Sequence, residues 1–125
     1  MRWFMSCLVL ILPLLMARIG RGWKNNPPGQ INGVYGYRTR WSGKSQETWD
    51  YAHQRIAALW IKTGVVLLVS SVAALAACWV LAAGELFYIL SAAMMLVQTA
   101  VMLGTIFPVE KGLREHFDEE GKRIQ

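Results

Sequence analysis

The sequence predicts an all-α membrane protein with three transmembrane helices, a basic and aromatic cytoplasmic loop, and an interfacial helix before the second span. Two observations predict this fold class. The apolar residues, which make up 54% of the 125 residues, lie in uncharged blocks and not at amphipathic spacing. The basic residues lie between or after those blocks, with one exception at the N-terminus. The length favours a single membrane domain over residues 1–125.

The first apolar block, Trp3–Ala17, is short and leaves two interpretations open. It has fifteen uncharged residues and contains Pro13. A retained span over residues 3–19 is usable if the side chain of Arg18 extends back to the lipid headgroups. A cleaved signal peptide has the same basic start and apolar run, but it needs small residues before the cleavage site. Leu15 would stand three residues before a cut after Ala17, and this favours a retained span.

The second and third blocks are long enough to cross a bilayer as helices. Residues 63–84 and 86–107 are each 22 residues long and carry no charged side chain. A transmembrane helix needs about 20 apolar residues to cross ~30 Å of hydrocarbon. Because only a short Gly84-Glu85 break separates the two blocks, they must form an antiparallel hairpin.

The distribution of basic residues predicts the orientation. With three spans, twelve of the 13 Lys and Arg residues lie on one side, in the loop 20–62, in the tail 108–125 and at Arg18 beside the loop, and Arg2 alone lies on the other side. Basic residues that flank spans remain cytoplasmic. We therefore expect the N-terminus outside and both the loop and the C-terminus in the cytoplasm.

Composition and motifs argue against several functional classes. Cys7 and Cys78 both lie in apolar blocks, and His53 and His116 are far apart in the sequence, so we expect no metal site. The chain has no P-loop, GxGxxG, HExxH or Ser/His/Asp pattern, and we expect no catalytic residues and no cofactor. The net charge of +5 favours anionic lipid headgroups as partners, and we expect no nucleic-acid binding.

The loop is predicted to contain a turn, a short extended piece and a helix. Residues 25–30, NNPPGQ, have the composition of a turn, and residues 34–41, VYGYRTRW, that of an extended segment. Ser45 is a candidate N-cap for a helix that begins at Gln46. One face of that helix is aromatic and apolar, which is typical of a helix at the membrane interface. This face carries Trp49, Ala52, His53, Ile56 and Trp60.

The segment GYRTRWSGKSQETWDYA, from Gly36 to Ala52, resembles the signature of the SdpI family of bacterial membrane proteins. The tail from Phe117 also resembles the usual ending of that family. Two positions depart from its pattern: Arg40 stands where proline is frequent, and His53 where asparagine is common. The matching residues are Pro28, Gly36, Tyr37, Arg38, Thr39, Ser45, Glu47, Trp49 and Ala52.

The resemblance implies a multi-pass protein of the bacterial cytoplasmic membrane with its signature on the cytoplasmic side. It also implies a non-enzymatic immunity role against a membrane-active toxin peptide, with signalling as a second role. The alternative is an accessory subunit of a larger membrane transporter or membrane enzyme complex. The partner would accordingly be a toxin peptide or another membrane protein. The sequence leaves open the identity of that partner and the oligomeric state.

The signature supplies most of the candidate site residues. Arg38 and Arg40 could bind lipid phosphate, an acidic group of a partner, or the loop's own Glu47 and Asp50, since a guanidinium suits all three. Trp49 is expected to anchor the loop at the membrane interface. The full set of candidate contact residues is Gly36, Tyr37, Arg38, Thr39, Arg40, Glu47 and Trp49.

One further candidate lies inside the membrane. Gln98 is a polar residue in the middle of the third span. Such residues are often functional, but a hydrogen bond to a neighbouring helix is the commoner explanation. Ser70 and Ser71 on the second span are the expected partners.

Overall fold

The computed structural model describes residues 1–124, which form four helices. Three segments are long and apolar enough to cross a membrane: α1, α2, and the nearly continuous pair of α3 and α4. The predicted all-α fold class is therefore confirmed. The helices are α1 (Arg2–Asn25), α2 (Gln46–Leu81), α3 (Glu85–Gly104) and α4 (Ile106–His116).

The bundle has two ends, which we name by their connections. The turn end carries the start of α1 and the short link between α2 and α3. The loop end carries residues 26–45, α4 and the C-terminal residues 117–124.

Helix α1 is longer than the predicted span and packs against α2 through two glycines. A Cβ atom on Gly64 would lie 2.6 Å from the backbone nitrogen of Ala17. A Cβ atom on Gly20 would lie 2.9 Å from the carbonyl oxygen of Ala57. Because real side chains do not tolerate such distances, glycine is required at both positions for the helices to approach this closely.

Helix α2 is continuous over 36 residues, or about 54 Å. Ser45 is its N-cap, as predicted. The Ser45 side chain accepts a hydrogen bond from the Thr48 backbone N–H, and the Thr48 side chain accepts one from the Ser45 N–H. The helix predicted before the second span is thus the first part of α2. This part protrudes beyond the length that crosses a bilayer core of ~30 Å. Most of the face expected at the membrane interface is instead buried within the protein, because Trp49, Ala52, His53 and Ile56 are at most 1% exposed.

At the turn end, Arg2 stabilises the end of α2. Its guanidinium donates hydrogen bonds to the carbonyl oxygens of Trp79, at 3.2 Å, and Ala82, at 2.7 Å. It also lies 4.6 Å from the ring centroid of Phe87. A cation at a helix C-terminus satisfies free carbonyl groups and complements the helix dipole.

In the middle of the bundle, Gln98 connects all three spans. Its side chain is 2% exposed, and its Nε2 donates to Ser71 Oγ at 2.7 Å, as predicted, and to the Val9 carbonyl oxygen at 2.9 Å. In a regular helix the Val9 carbonyl would accept from the N–H four residues later, but that residue is Pro13, which has none. Gln98 therefore satisfies a carbonyl group that a proline leaves free inside the membrane.

The predicted extended piece of the loop is not a strand. Residues 34–36 form a bend, residues 37–39 are irregular and residues 40–41 begin a turn. Several of their backbone N–H groups bond to side chains and not to a neighbouring strand. The Tyr37 N–H donates to His53, and the Thr39 N–H donates to Ser42. These two hydrogen bonds shape the candidate functional site.

The C-terminal residues fold back after α4. Phe117 and Arg123 form an isolated antiparallel bridge, and the Asp118 carboxylate accepts hydrogen bonds from the N–H groups of Glu120 and Lys122 at 2.9 Å each. These hydrogen bonds stabilise the charged carboxylate and so lower the pKa of Asp118, and the bond from Lys122 has the largest effect. Lys44 and Ser45 hold this turn against the loop through Glu119 and Gly121.

Candidate functional site at the loop end

The signature folds into a compact unit, the loop-end cap, which consists of residues 36–49 packed on α2, α4 and residues 117–124. Its apolar core is shared among these segments. The buried residues of that core are Tyr37, Trp41, Ala52, Ile56, Val109, Leu113 and Phe117.

Gly36 allows the signature to turn tightly over α2. Its φ of 115° lies in the region that favours glycine. A Cβ atom at this position would also lie 2.8 Å from His53 Nε2 and 3.1 Å from the Trp49 ring. Both the backbone conformation and the close approach therefore require glycine.

His53 holds the turn from below. Its Nε2 accepts a hydrogen bond of 2.8 Å from the Tyr37 N–H, and its Nδ1 lies 2.8 Å from the Trp49 carbonyl oxygen. This pattern assigns the neutral tautomer with the proton on Nδ1. Because the imidazole is fully buried, its pKa lies below the usual value.

Glu110 of α4 is the partner of two signature hydroxyl groups. The Tyr37 hydroxyl donates to Glu110 Oε2 at 3.1 Å, and the Thr39 hydroxyl donates to the same oxygen at 3.2 Å. Burial, followed by the negative charge of Glu110, raises the pKa of Tyr37 well above its usual value. The phenol therefore remains a donor at any physiological pH, and the pair ties the loop to α4.

A second group of hydroxyls fixes the backbone of the cap. The buried Ser42 hydroxyl donates to the Tyr37 carbonyl oxygen at 2.9 Å and accepts from the Thr39 N–H at 2.8 Å. The Thr48 hydroxyl in turn donates a hydrogen bond of 2.9 Å to the Ser42 carbonyl oxygen. The polar groups of the signature are thus used largely to hold its own shape.

Trp49 does not anchor the loop at the membrane interface, and that expectation is wrong. The side chain is 1% exposed, and its Nε1 donates to the Pro28 carbonyl oxygen at 2.9 Å. Its ring packs against His53 with 4.4 Å between centroids. Tyr37 and Trp41 are also buried. These aromatic residues form the core of the cap because the start of α2 is covered by the loop.

The charged signature residues do not pair within the loop as one alternative expected. Arg38 is exposed and donates to the Gly33 carbonyl oxygen. Arg40 lies 3.9 Å from Glu119, and Glu47 lies 3.7 Å from Arg123. In the part of the chain that the structure describes, the interpretation of an Arg–Glu47 or Arg–Asp50 pair is therefore wrong. The charged partners of Arg40 and Glu47 both come from the C-terminal residues 117–124.

Arg38 stands beside a small aromatic cavity of about 230 Å³, which we name the tryptophan pocket. The rings of Trp23 and Trp60 stack with 5.8 Å between centroids, and Trp60 Nε1 donates to the Thr105 hydroxyl at 3.0 Å. The pocket can take an apolar or aromatic group whose anionic end faces Arg38. The lining residues are Trp23, Gly36, Tyr37, Arg38, Thr39, Trp60, Met102, Leu103 and Ile106.

A family model described as the SdpI/YfhL protein family matches residues 30–109, which include the signature, α2, α3 and the start of α4. The chain belongs to this family. The SdpI/YfhL signature is therefore the cap-forming segment described above.

The chain is also similar to a curated protein, "Uncharacterized protein YfhL" from Bacillus subtilis (strain 168). It is 49% identical over 41 residues. That stretch covers 33% of this chain and 37% of the relative, so the chain is aligned to well under two thirds of it. No solved structure matches the chain.

Several residues of this SdpI/YfhL site were not predicted from the sequence as members, among them Glu110, Trp23 and His53 in its bonding role. His53 could have been found, because it lies four residues after Trp49 on the same helix face. Glu110 lies 73 residues from Tyr37, and no local pattern connects them. In residues 1–124, no group of three or more His, Cys, Asp or Glu side chains could hold a metal ion.

Proposed function

We propose that this SdpI/YfhL protein is a non-enzymatic immunity protein that protects the cell membrane against a membrane-active toxin peptide. The proposal rests on the different positions of two sets of signature residues. Its buried hydroxyl, imidazole and indole groups build the cap, and Arg38 is left exposed at the tryptophan pocket. An arrangement of this kind suits binding and not turnover of a substrate.

Charge distribution supports an orientation with the cap in the cytoplasm. The loop end carries most of the basic residues, and the turn end carries Arg2. Lys and Arg beside membrane spans remain on the cytoplasmic side. A partner of the tryptophan pocket would accordingly be met at the inner leaflet of the bacterial cytoplasmic membrane.

A survival assay tests the immunity role. Cells with and without the full chain are challenged with a panel of membrane-active peptides, including those encoded near its own gene. We expect the chain to raise the tolerated concentration of at least one peptide. Arg38→Gln should remove the protection at unchanged expression, whereas Arg21→Gln, a charge change on the exposed part of α1, should retain it.

Equal survival with and without the chain across such a panel contradicts the immunity role. In that case, copurification with a larger membrane complex would support the accessory-subunit alternative. Protection that persists in Arg38→Gln would retain the immunity role but remove the tryptophan pocket from it.

A further inference from the structure

A second cleft at the loop end, which also has Trp23 in its lining, lies between the end of α1 and residues 54–62 of α2. Its volume is about 420 Å³. We name it the lysine cleft, because Lys24 and Lys62 both line it. The lining residues are Trp23, Lys24, Pro27, Gln54, Ala58, Ile61 and Lys62.

The lysine cleft contains positive charge without an acidic residue among its lining side chains. Elsewhere at the loop end, lysines are paired: Lys44 with Glu119 at 3.1 Å, and Lys111 with Glu115 at 3.9 Å. Within residues 1–124, neither Lys24 nor Lys62 has a carboxylate within 4.0 Å. An anion bound between Lys24 and Lys62 would be attracted to both positive charges.

The position of the cleft identifies the kind of anion. Lys62 directly precedes the uncharged block that begins at residue 63, so the cleft lies where a membrane's hydrocarbon region meets its headgroups. Ala58 and Ile61 supply an apolar wall, and Trp23 has the amphipathic ring typical of this zone. A ligand that fits both features has an anionic head and an acyl chain.

We infer that the lysine cleft is a specific binding site for one anionic phospholipid, whose phosphate lies between Lys24 and Lys62 and whose acyl chain follows α2. The amide of Gln54 provides a further donor for the headgroup. This inference is independent of the immunity role, since it concerns a different cleft and a different ligand.

The test uses the full chain in nanodiscs that contain equal amounts of phosphatidylglycerol and phosphatidylcholine with identical acyl chains. Native mass spectrometry of the released protein counts the lipids retained. The test variant is Lys24→Gln/Lys62→Gln. The control is Lys111→Gln/Lys122→Gln, which removes the same two positive charges from lysines that already have acidic partners.

We expect the wild-type chain to retain one phosphatidylglycerol in preference to phosphatidylcholine. The test variant should bind phosphatidylglycerol about 30-fold more weakly, and the control variant less than about threefold more weakly. Lys24→Arg/Lys62→Arg should restore retention, which separates a loss of charge from a loss of folding.

Three results would overturn the inference. One is equal weakening in the test and control variants, because the attraction would then be general to the basic surface. Another is equal retention of the two lipids by the wild-type chain. The third is stabilisation of the detergent-solubilised protein by inorganic phosphate alone as strongly as by phosphatidylglycerol, since the acyl chain would then have no part.

Discussion

The backbone N–H of Tyr37 donates a 2.8 Å hydrogen bond to Nε2 of His53, sixteen residues later in the chain. This bond joins the turn of the SdpI/YfhL signature to the first part of α2. It needs a neutral imidazole, because a protonated Nε2 is a donor and cannot accept. The stability of the loop-end cap should therefore depend on pH through one residue.

Burial holds the pKa of His53 in the folded protein below the unfolded value of ~6.5. The unfolded chain consequently binds more protons as the pH falls below ~6.5, and the free energy of unfolding should fall by up to about 1.4 kcal/mol per pH unit. Thermal unfolding in detergent between pH 7.5 and 5.5 measures this. His53→Gln, which keeps an acceptor, should abolish the slope, and His116→Gln should retain it. If His53→Gln leaves the pH dependence of stability unchanged, His53 is not the residue that causes it.

Arg38→Lys separates a structural role of this residue from a role in binding. The side chain is exposed and bonds to the Gly33 carbonyl oxygen, without a carboxylate partner among the described residues. We expect the melting temperature to change little, because exposed substitutions usually alter stability by less than about 0.5 kcal/mol. Protection in the survival assay should nonetheless fall, since lysine lacks the planar two-donor geometry. A large loss of stability would instead make Arg38 part of the cap's framework.

The α1–α2 crossing gives a matched pair of glycine substitutions. Gly64→Ala places a methyl group 2.6 Å from the Ala17 nitrogen and should destabilise the protein by about 1–3 kcal/mol. Gly22→Ala adds a methyl group with nothing within 4 Å and should be neutral or stabilising by up to ~1 kcal/mol. Unfolding in mild detergent compares the two. Equal effects would mean that α1 does not pack on α2 at this crossing, as for a segment removed during secretion.

Gln98→Leu tests whether Gln98 serves the carbonyl that Pro13 leaves free. The substitution removes the donor to Val9 and should cost about 1–2 kcal/mol. In a Pro13→Ala background, the new N–H at position 13 can bond to the Val9 carbonyl, and Gln98→Leu should then cost less. A double-mutant cycle measures this coupling. Additive effects would indicate that the two residues act separately, and loss of protection at unchanged stability would assign Gln98 to function.

Cysteine labelling tests the orientation. In a chain with Cys7 and Cys78 replaced, Gly43→Cys places a thiol on the loop end and Ala83→Cys one at the turn end. An impermeant maleimide added to intact cells should label the second and not the first, because the basic loop end is expected in the cytoplasm. Labelling of Gly43→Cys alone would reverse the topology.

Local features of the sequence determined the three candidate spans, the N-cap and the membership of the SdpI family. The length of an uncharged block decides whether a helix can cross a bilayer, and this length is visible in the sequence. Ser45 precedes its helix directly, so its role also depends on neighbours in the chain. The partnership of Gln98 with Ser71 was predictable because both lie near the middle of consecutive spans.

The tertiary structure alone decided which polar groups meet and which aromatic residues are buried. Glu110 reaches Tyr37 and Thr39, and Gln98 reaches Val9 across 89 residues, only because the helices take particular relative positions. Tryptophan is typical of anchors at the membrane interface, but the loop covers Trp49. Amphipathic spacing reveals that a helix face is covered, and only the packing of the other segments determines whether lipid or protein covers it.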